Sequence, residues 1–393
     1  MTPFDDRDPS RRDLLVLAAK LGLGASAAAA WPFDVLAQVP AGKHPELIAR
    51  SVRPPDFETP VRLLDSYLTP LDAFYVRSHM PAPTALDEAA WRLAVNGEAA
   101  TPLSLSVADL RQMPATTATV TLECAGNGRA FFDPPVAGIQ WQKGAVGTCT
   151  WTGVRVADLL KRAGARAAAT HLWASGADRP MGTQPPFVRQ VPMAKAMDPG
   201  TLVAYAMNGQ PIPAPHGFPL RLVVPGWEGA YAIKWLNTIT LATAEHDGFW
   251  VATGYRYPTR RVAPGAAVDA RDMAPLTGLA VKSLITRPLD GATVPPGKVL
   301  VAGFAWAGEI DIARVEVSTD AGATWQPAQL TGRPERFAWR RFEYTFTPSR
   351  QDTHTILSRA TDAKGTTQPI VPQWNPSGYL WNAPDQVRIE VKA

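Results

Sequence analysis

Polar and hydrophobic positions alternate with period two along much of this chain, the pattern of strands buried on one face. From Trp91 the run W-R-L-A-V-N-G-E reads as a strand closed by an N-G turn. S-V-A-D-L-R-Q-M opens on a serine able to cap a short helix. T-A-T-V-T-L-E-C is β-branched and alternating, and predicts a strand that delivers Cys124 at its end. V-R-V-A-D-L-L-K-R-A-G is amphipathic and stops on glycine, as a helix does. R-L-V-V-P-G and Y-A-I-K-W-L-N-T-I-T read as buried strands. Residues 38–90 are proline-rich and irregular, with V-R-L-L-D-S-Y-L-T-P and F-Y-V-R-S-H-M-P-A-P as two anchoring stretches.

The texture changes after about residue 270. L-V-A-G-F-A-W-A-G, A-R-V-E-V-S-T, T-W-Q-P-A-Q-L, R-R-F-E-Y-T-F-T and H-T-I-L-S-R-A-T all alternate, with D-A-G-A and D-A-K-G between some of them. Short alternating strands with turns between them predict an immunoglobulin-like β-sandwich. The expected fold class is α+β: an α+β domain over residues 38–270, then the sandwich over residues 271–393.

Residues 1–37 follow neither pattern. Arg11 and Arg12 precede a mildly apolar run from Leu14 to about Ala30, interrupted by Lys20. A spanning helix needs about 20 apolar residues, so a twin-arginine export signal, cut after Ala37, is the better reading. It implies a periplasmic protein exported already folded, with no membrane contact after cleavage.

Composition narrows the function classes. The net charge of +4 is mild and no run of five or six basic residues occurs, which argues against nucleic acid. The six histidines show no zinc-like spacing, and the absence of C-x-x-C-H excludes a c-type haem attachment. There are two cysteines, Cys124 and Cys149. Cys124 has three readings: a buried small hydrophobe, a bridge to Cys149, or a thiolate on a soft metal. Arg77, Arg129, His216, Arg221 and Lys234 stand beside structural punctuation, and arginine forks suit oxyanions. Gly126 and Gly128 would let backbone N–H groups approach a ligand.

Ordered motifs then single out one family. Y-V-R-S-H, T-L-E-C-A-G-N-G-R, G-I-Q-W-Q-K-G-A-V-G-T, A-Y-A-M-N-G-Q-P-I-P, H-G-F-P-L-R-L-V-V-P-G, I-K-W-L and W-N-P-S-G-Y-L-W-N run through nearly all of the mature length. With them the chain resembles the sulfite oxidase family of molybdenum enzymes. The resemblance implies that Cys124 is the protein ligand of molybdenum. It implies a molybdopterin held by Tyr75, Val76, Arg77, Ser78, His79, Asp178, His216, Arg221, Ala232, Ile233 and Lys234. It places Arg77, Arg129, Trp141 and Tyr255 in a substrate pocket. The plainer alternatives are satisfied structural histidines, solvated strand-edge charges at Arg221 and Lys234, and core packing for Trp141 and Tyr255.

The implied reaction is oxidation of sulfite to sulfate by oxo transfer. With no haem or flavin segment in the chain, electrons would leave to an external c-type cytochrome. The sandwich would dimerise the enzyme. Three departures matter: Ser78 replaces a frequent asparagine, Gly128 replaces an arginine of animal relatives, and Gln386 falls where a third substrate-site arginine is expected. Cys149 is unmatched. The rival within the same chemistry is a sulfane dehydrogenase acting on carrier-bound sulfur. The rival outside it is a cofactor-free periplasmic binding protein.

Overall fold

The computed structural model describes residues 39–392, so the export-signal reading of residues 1–37 lies outside the described residues. Among the described residues no helix is long and apolar enough to cross a membrane.

Two five-stranded sheets build the first domain. In one, Ala115–Glu123 pairs antiparallel with Val146–Arg155, which pairs with Leu202–Met207. Arg221–Val223 also pairs with Leu202–Met207. In the other, Leu236–Ala242 lies at the centre, parallel to Leu93–Gly97 and antiparallel to His171–Gly176. Helices are short. Val107–Arg111 starts on the serine cap that the sequence predicts, and Asp109 completes a capping box with Ser106. Val156–Ala163 ends on Gly164 in the left-handed region, which a glycine enters at no steric cost. Its buried face, Val156, Leu159, Leu160 and Ala163, joins the core between the sheets.

One prediction fails in part. Y-A-I-K-W-L-N-T-I-T is a strand only from Leu236 onward. Gly229–Tyr231 forms a 3-10 turn and Trp235 has φ +49°. The intervening residues point their polar groups elsewhere: the Ala232 carbonyl accepts from Arg221 Nε at 3.2 Å, and the Lys234 ammonium reaches Ser78 Oγ at 2.5 Å. A regular ladder would have taken the carbonyl for itself.

The second domain is a sandwich whose strands form one continuous path, from Lys282–Arg287 through Val299–Trp306, Arg340–Phe346, Gln326–Thr331, Ile312–Ser318 and Thr353–Asp362 to Asp385–Val391 and Ala292–Val294. Val301 and Phe342 from one face pack with Val317, Ile356 and Ile389 from the other. The bridge reading of the cysteines does not hold, since both are free. Cys149 sits opposite Val120 in the ladder, four positions before Cys124, which at about 3.3 Å per residue separates them by roughly 13 Å.

The domains meet at a buried carboxylate. Glu123 Oε1 accepts from Lys282 Nζ at 2.6 Å and from Asn127 Nδ2 at 2.9 Å, and Oε2 accepts from Trp306 Nε1 at 2.8 Å. Lys282 also donates to the Asn127 carbonyl at 3.0 Å. Glu123→Gln leaves a buried ammonium without its countercharge, a class of change that costs about 3–5 kcal/mol. The expected result in urea unfolding of the cofactor-free protein is a loss of that size for Glu123→Gln and for Lys282→Met. The double variant should recover part of it. Equal stability of single variants and wild type would show that the pair does not join the domains.

Candidate active site

The strand Ala115–Glu123 ends by handing the chain to a tight turn. Cys124 N–H donates to the Ala145 carbonyl at 2.9 Å, and its own carbonyl accepts from Asn127 N–H at 2.8 Å. This fixes the thiol in the wall of a cleft. Burial pushes the Cys124 thiol up, while Arg77, Arg129 and the Gly126 amide pull it the other way.

The cleft wall gathers much of what the sequence singles out. Tyr75, Arg77, His79 and Asp178 line it, as do His216, Arg221, the Ala232–Lys234 segment and Tyr255. Several are held from behind. Asp56, wholly buried, accepts from Ser78 N–H at 2.6 Å and pairs with Arg77 Nη1 at 3.4 Å. Arg221 Nη1 donates to the His216 carbonyl at 3.0 Å, and the guanidinium lies 5.1 Å over Trp151. Lys234 donates to the Pro215 carbonyl at 3.0 Å. His79 Nε2 meets the Tyr255 hydroxyl, and its ring stacks on Phe187 at 3.8 Å. Tyr255 has φ +51°, a strained setting that a tyrosine keeps only when its surroundings insist.

Four predicted residues stand outside the lining. Val76 is bound through its backbone to Phe57, and Ser78 lies under Lys234. Trp141 is fully buried and meets Tyr75 edge-on at 6.4 Å, so it packs beneath the wall. Arg129 is also turned away. Its Nη1 donates to the Ile139 carbonyl at 3.0 Å and its Nη2 to the Ser377 carbonyl at 3.2 Å. A Cβ on Gly126 would lie 2.7 Å from its Cζ, and one on Gly378 2.8 Å from its Nε. Gly126 therefore admits a guanidinium here, where the sequence suggested room for a ligand. Gly128 faces Trp381 in the same way. Gln386 lines a neighbouring cavity with Asn127, Gly128 and Trp381, apart from the cleft.

Sequence reasoning missed three contributors. Lys43, buried, places Nζ 2.9 Å from His216 Nε2. Asp56 orients Arg77, and Glu228 lines the cleft beside Tyr255. None sits in a pattern that marks it: Asp56 is on the four-residue strand Pro55–Glu58 and Glu228 caps a single turn, both too short for a periodic signal, and Lys43 stands alone before the first strand.

The electrostatics state what the cleft lacks. Burial, then Arg221, pushes Lys234 down to about 7. Burial, then Arg77, Arg189 and Lys234, drives His79 well below its usual range. His216 is lowered the same way, by burial and then by Lys43, Arg221 and Lys234. Burial lowers Arg221 to about 10. Burial and neighbouring positive charge hold these groups toward their neutral forms, a balance that an anionic ligand would reverse. Among the described residues no three His, Cys, Asp or Glu side chains converge as a metal cage. A metal here would take one protein sulfur and draw its other ligands from a bound anionic chelator, and the residues present fit such a group.

Residues 79–250 match the family described as "Oxidoreductase molybdopterin binding domain", and residues 274–392 match the "Mo-co oxidoreductase dimerisation domain". The chain is 39% identical to mitochondrial sulfite oxidase of Rattus norvegicus, over 89% of this chain and 66% of the rat protein, just under two thirds of its length. It is 32% identical to sulfite oxidase of Arabidopsis thaliana, over 86% of this chain and 92% of that protein. The crystal structure of the sulfane dehydrogenase SoxCD from Paracoccus pantotrophus matches with a TM-score of 0.76 at 27% identity, over 94% of this chain and 95% of that one. The chain belongs to the sulfite oxidase family.

Proposed function

We propose that the protein is a molybdenum-cofactor enzyme that oxidises sulfite to sulfate. The observation that carries this reading is the buried thiol of Cys124 in a cleft lined by Arg77, His79, His216, Arg221 and Lys234. When bound, the molybdenum pterin supplies the oxygen-atom transfer and takes up the two electrons. Cys124 is the thiolate ligand. Arg221, Lys234, His216 and Asp178 hold the pterin's polar groups and its phosphate, with Tyr75, His79 and the Ala232–Lys234 backbone along its length. Val76, Ser78, Trp141 and Arg129 act from behind the wall, the first two by fixing Arg77 and Lys234.

Arg77 presents a guanidinium to the substrate oxyanion, with Asp56 setting its direction. Tyr255 and His79 share a contact through which a proton at the phenol oxygen can be held or passed. Burial raises the Tyr255 phenol well above its ordinary range, so it stays protonated and able to donate. The enzyme acts in the periplasm after twin-arginine export, dimerises through its sandwich and passes electrons to a separate c-type cytochrome. The cofactor-free binding protein loses support, because a mere carrier has no use for a thiol in that wall.

A second reading is favoured by the likeness to a sulfane dehydrogenase along almost the whole chain. Arg129 spends two donors on backbone carbonyls, and Gln386 stands outside the cleft. Both leave the substrate end with fewer free donors for a small dianion, which suits sulfur carried on a protein.

Two measurements test the reading. Wild-type protein should reduce ferricyanide or cytochrome c when sulfite is added, and Cys124→Ser should not, at matched pterin content. Equal activity in both would remove the thiolate from the reaction, and no sulfite activity in a molybdenum-loaded wild type would favour carrier-bound sulfur. Lys234→Met should weaken cofactor retention by about ten- to hundredfold, the worth of a charge-assisted hydrogen bond. Metal analysis and pterin fluorescence after denaturation read the loss. The unfolding midpoint of the cofactor-free variant should change little, because the charge removed there is one that burial already disfavours.

A further inference from the structure

Behind the cleft a second arginine is buried with no evident structural return. Arg189, on the strand Val188–Pro192, is 2% exposed. Its guanidinium carbon lies 4.2 Å over the ring of Tyr231 and 4.7 Å over that of Tyr255. Nη1 donates to the Trp250 carbonyl, while Nε has no partner. Nη2 stands 3.6 Å from Glu228 Oε1, too far for a good hydrogen bond. Glu228 is 1% exposed and N-caps the turn Gly229–Tyr231 through Oε2, at 2.8 Å from Ala230 N–H, leaving Oε1 without a hydrogen bond.

A loose ion pair buried this deeply is a poor way to gain stability; apolar side chains of similar size would serve as well or better. Its placement is informative instead. The guanidinium covers one ring that only packs and one ring that lines the cleft. Tyr231 is anchored independently, by its hydroxyl on the Leu276 carbonyl at 3.0 Å. Tyr255 has no such anchor among the described contacts. Its hydroxyl meets only His79, and its backbone is in the left-handed region. It needs a lateral restraint to keep the phenol aimed at the cleft. Tyr379, from the sandwich domain, stacks on it at 5.5 Å and 2°, and Arg189 supplies the cationic contact.

We propose that Arg189 and Glu228 are positioning residues for Tyr255: the guanidinium holds the phenol ring by a cation–π contact, and the carboxylate keeps the guanidinium over it. Neither touches the reacting atoms. The proposal rests on the reading of this cleft as the oxidation site.

The test uses the molybdenum-loaded protein labelled with 3-fluorotyrosine, one fluorine line for each of the eight tyrosines. Tyr255→Phe assigns the Tyr255 line. Arg189→Met should displace or broaden the lines of Tyr255 and Tyr231 and leave the others in place. Arg189→Lys should lie between Met and wild type. Glu228→Gln, equal in shape and so the safeguard if Arg189→Met does not fold, should move the Tyr255 line in the same direction. In turnover, each variant should lower kcat on the order of tenfold with KM within about twofold, and Arg189→Met added to Tyr255→Phe should cost nothing more. An unmoved Tyr255 line in the Arg189 and Glu228 variants, or losses that multiply in the double variant, would overturn the proposal. The fluorine lines need no turnover, so a wild type inactive on sulfite would sink the functional reading and leave this one still decided.

Discussion

The position of the reactive thiol depends on a carboxylate one residue away. Glu123 closes the strand that delivers Cys124, and its partners come from three places: Asn127 in the turn, and Lys282 and Trp306 in the sandwich domain. Asn127 in turn accepts from Ala145 N–H at 3.1 Å, the residue whose carbonyl holds Cys124. Turn, strand end and second domain are thus one hydrogen-bonded unit. Such an ion pair contributes little net stability over an apolar substitute, but it is satisfied in only one geometry. What it secures is the location of Cys124, and the sandwich is part of that machinery.

The same domain returns to the cleft by another route. The segment Asn375–Trp381 leaves the sandwich and lies against the first domain: Ser377 accepts from Arg129, Tyr379 stacks on Tyr255, and Trp381 covers Gly128. Arg129 is the hinge pin of this contact, with its guanidinium 5.2 Å over Tyr379 and glycines pressed against it. It bonds the turn that carries Cys124 to the segment that carries Tyr379. A residue so engaged shapes the pocket by holding its walls together.

Legibility in the sequence followed locality. The serine cap at Ser106, the glycine stop at Gly164 and the strand ending at Cys124 were all readable, because each is set by residues close by in the chain. The strand Asp385–Val391 alternates perfectly, buried with exposed, but follows directly on an irregular motif-rich stretch that masks where it begins. The break at Ala232–Lys234 could not be read, because its apolar composition matches a strand and only Arg221 and Ser78, distant in the chain, decide otherwise. At the site, the motif arginines and histidines were visible as residue types. Asp56, Lys43, Glu228 and Arg189 were not: their importance lies in what they face, and no local spacing encodes that.

The cleft's charge explains why its cations could be named but not their allegiance. Of the arginines the sequence placed around the thiol, Arg221 spends Nε and Nη1 on the Ala232 and His216 carbonyls, and Arg129 spends Nη1 and Nη2 on Ile139 and Ser377. Arg77 alone among these three both lines the cleft and answers to a carboxylate, Asp56, rather than to carbonyls alone. A carboxylate partner leaves an arginine's far donors electrostatically poised but partly neutralised. In the proposed reaction an oxyanion would meet a guanidinium already aimed by its carboxylate. Arg221 and Lys234, on the same lining, have no carboxylate partner among their hydrogen bonds and are the groups open to a polyanionic ligand.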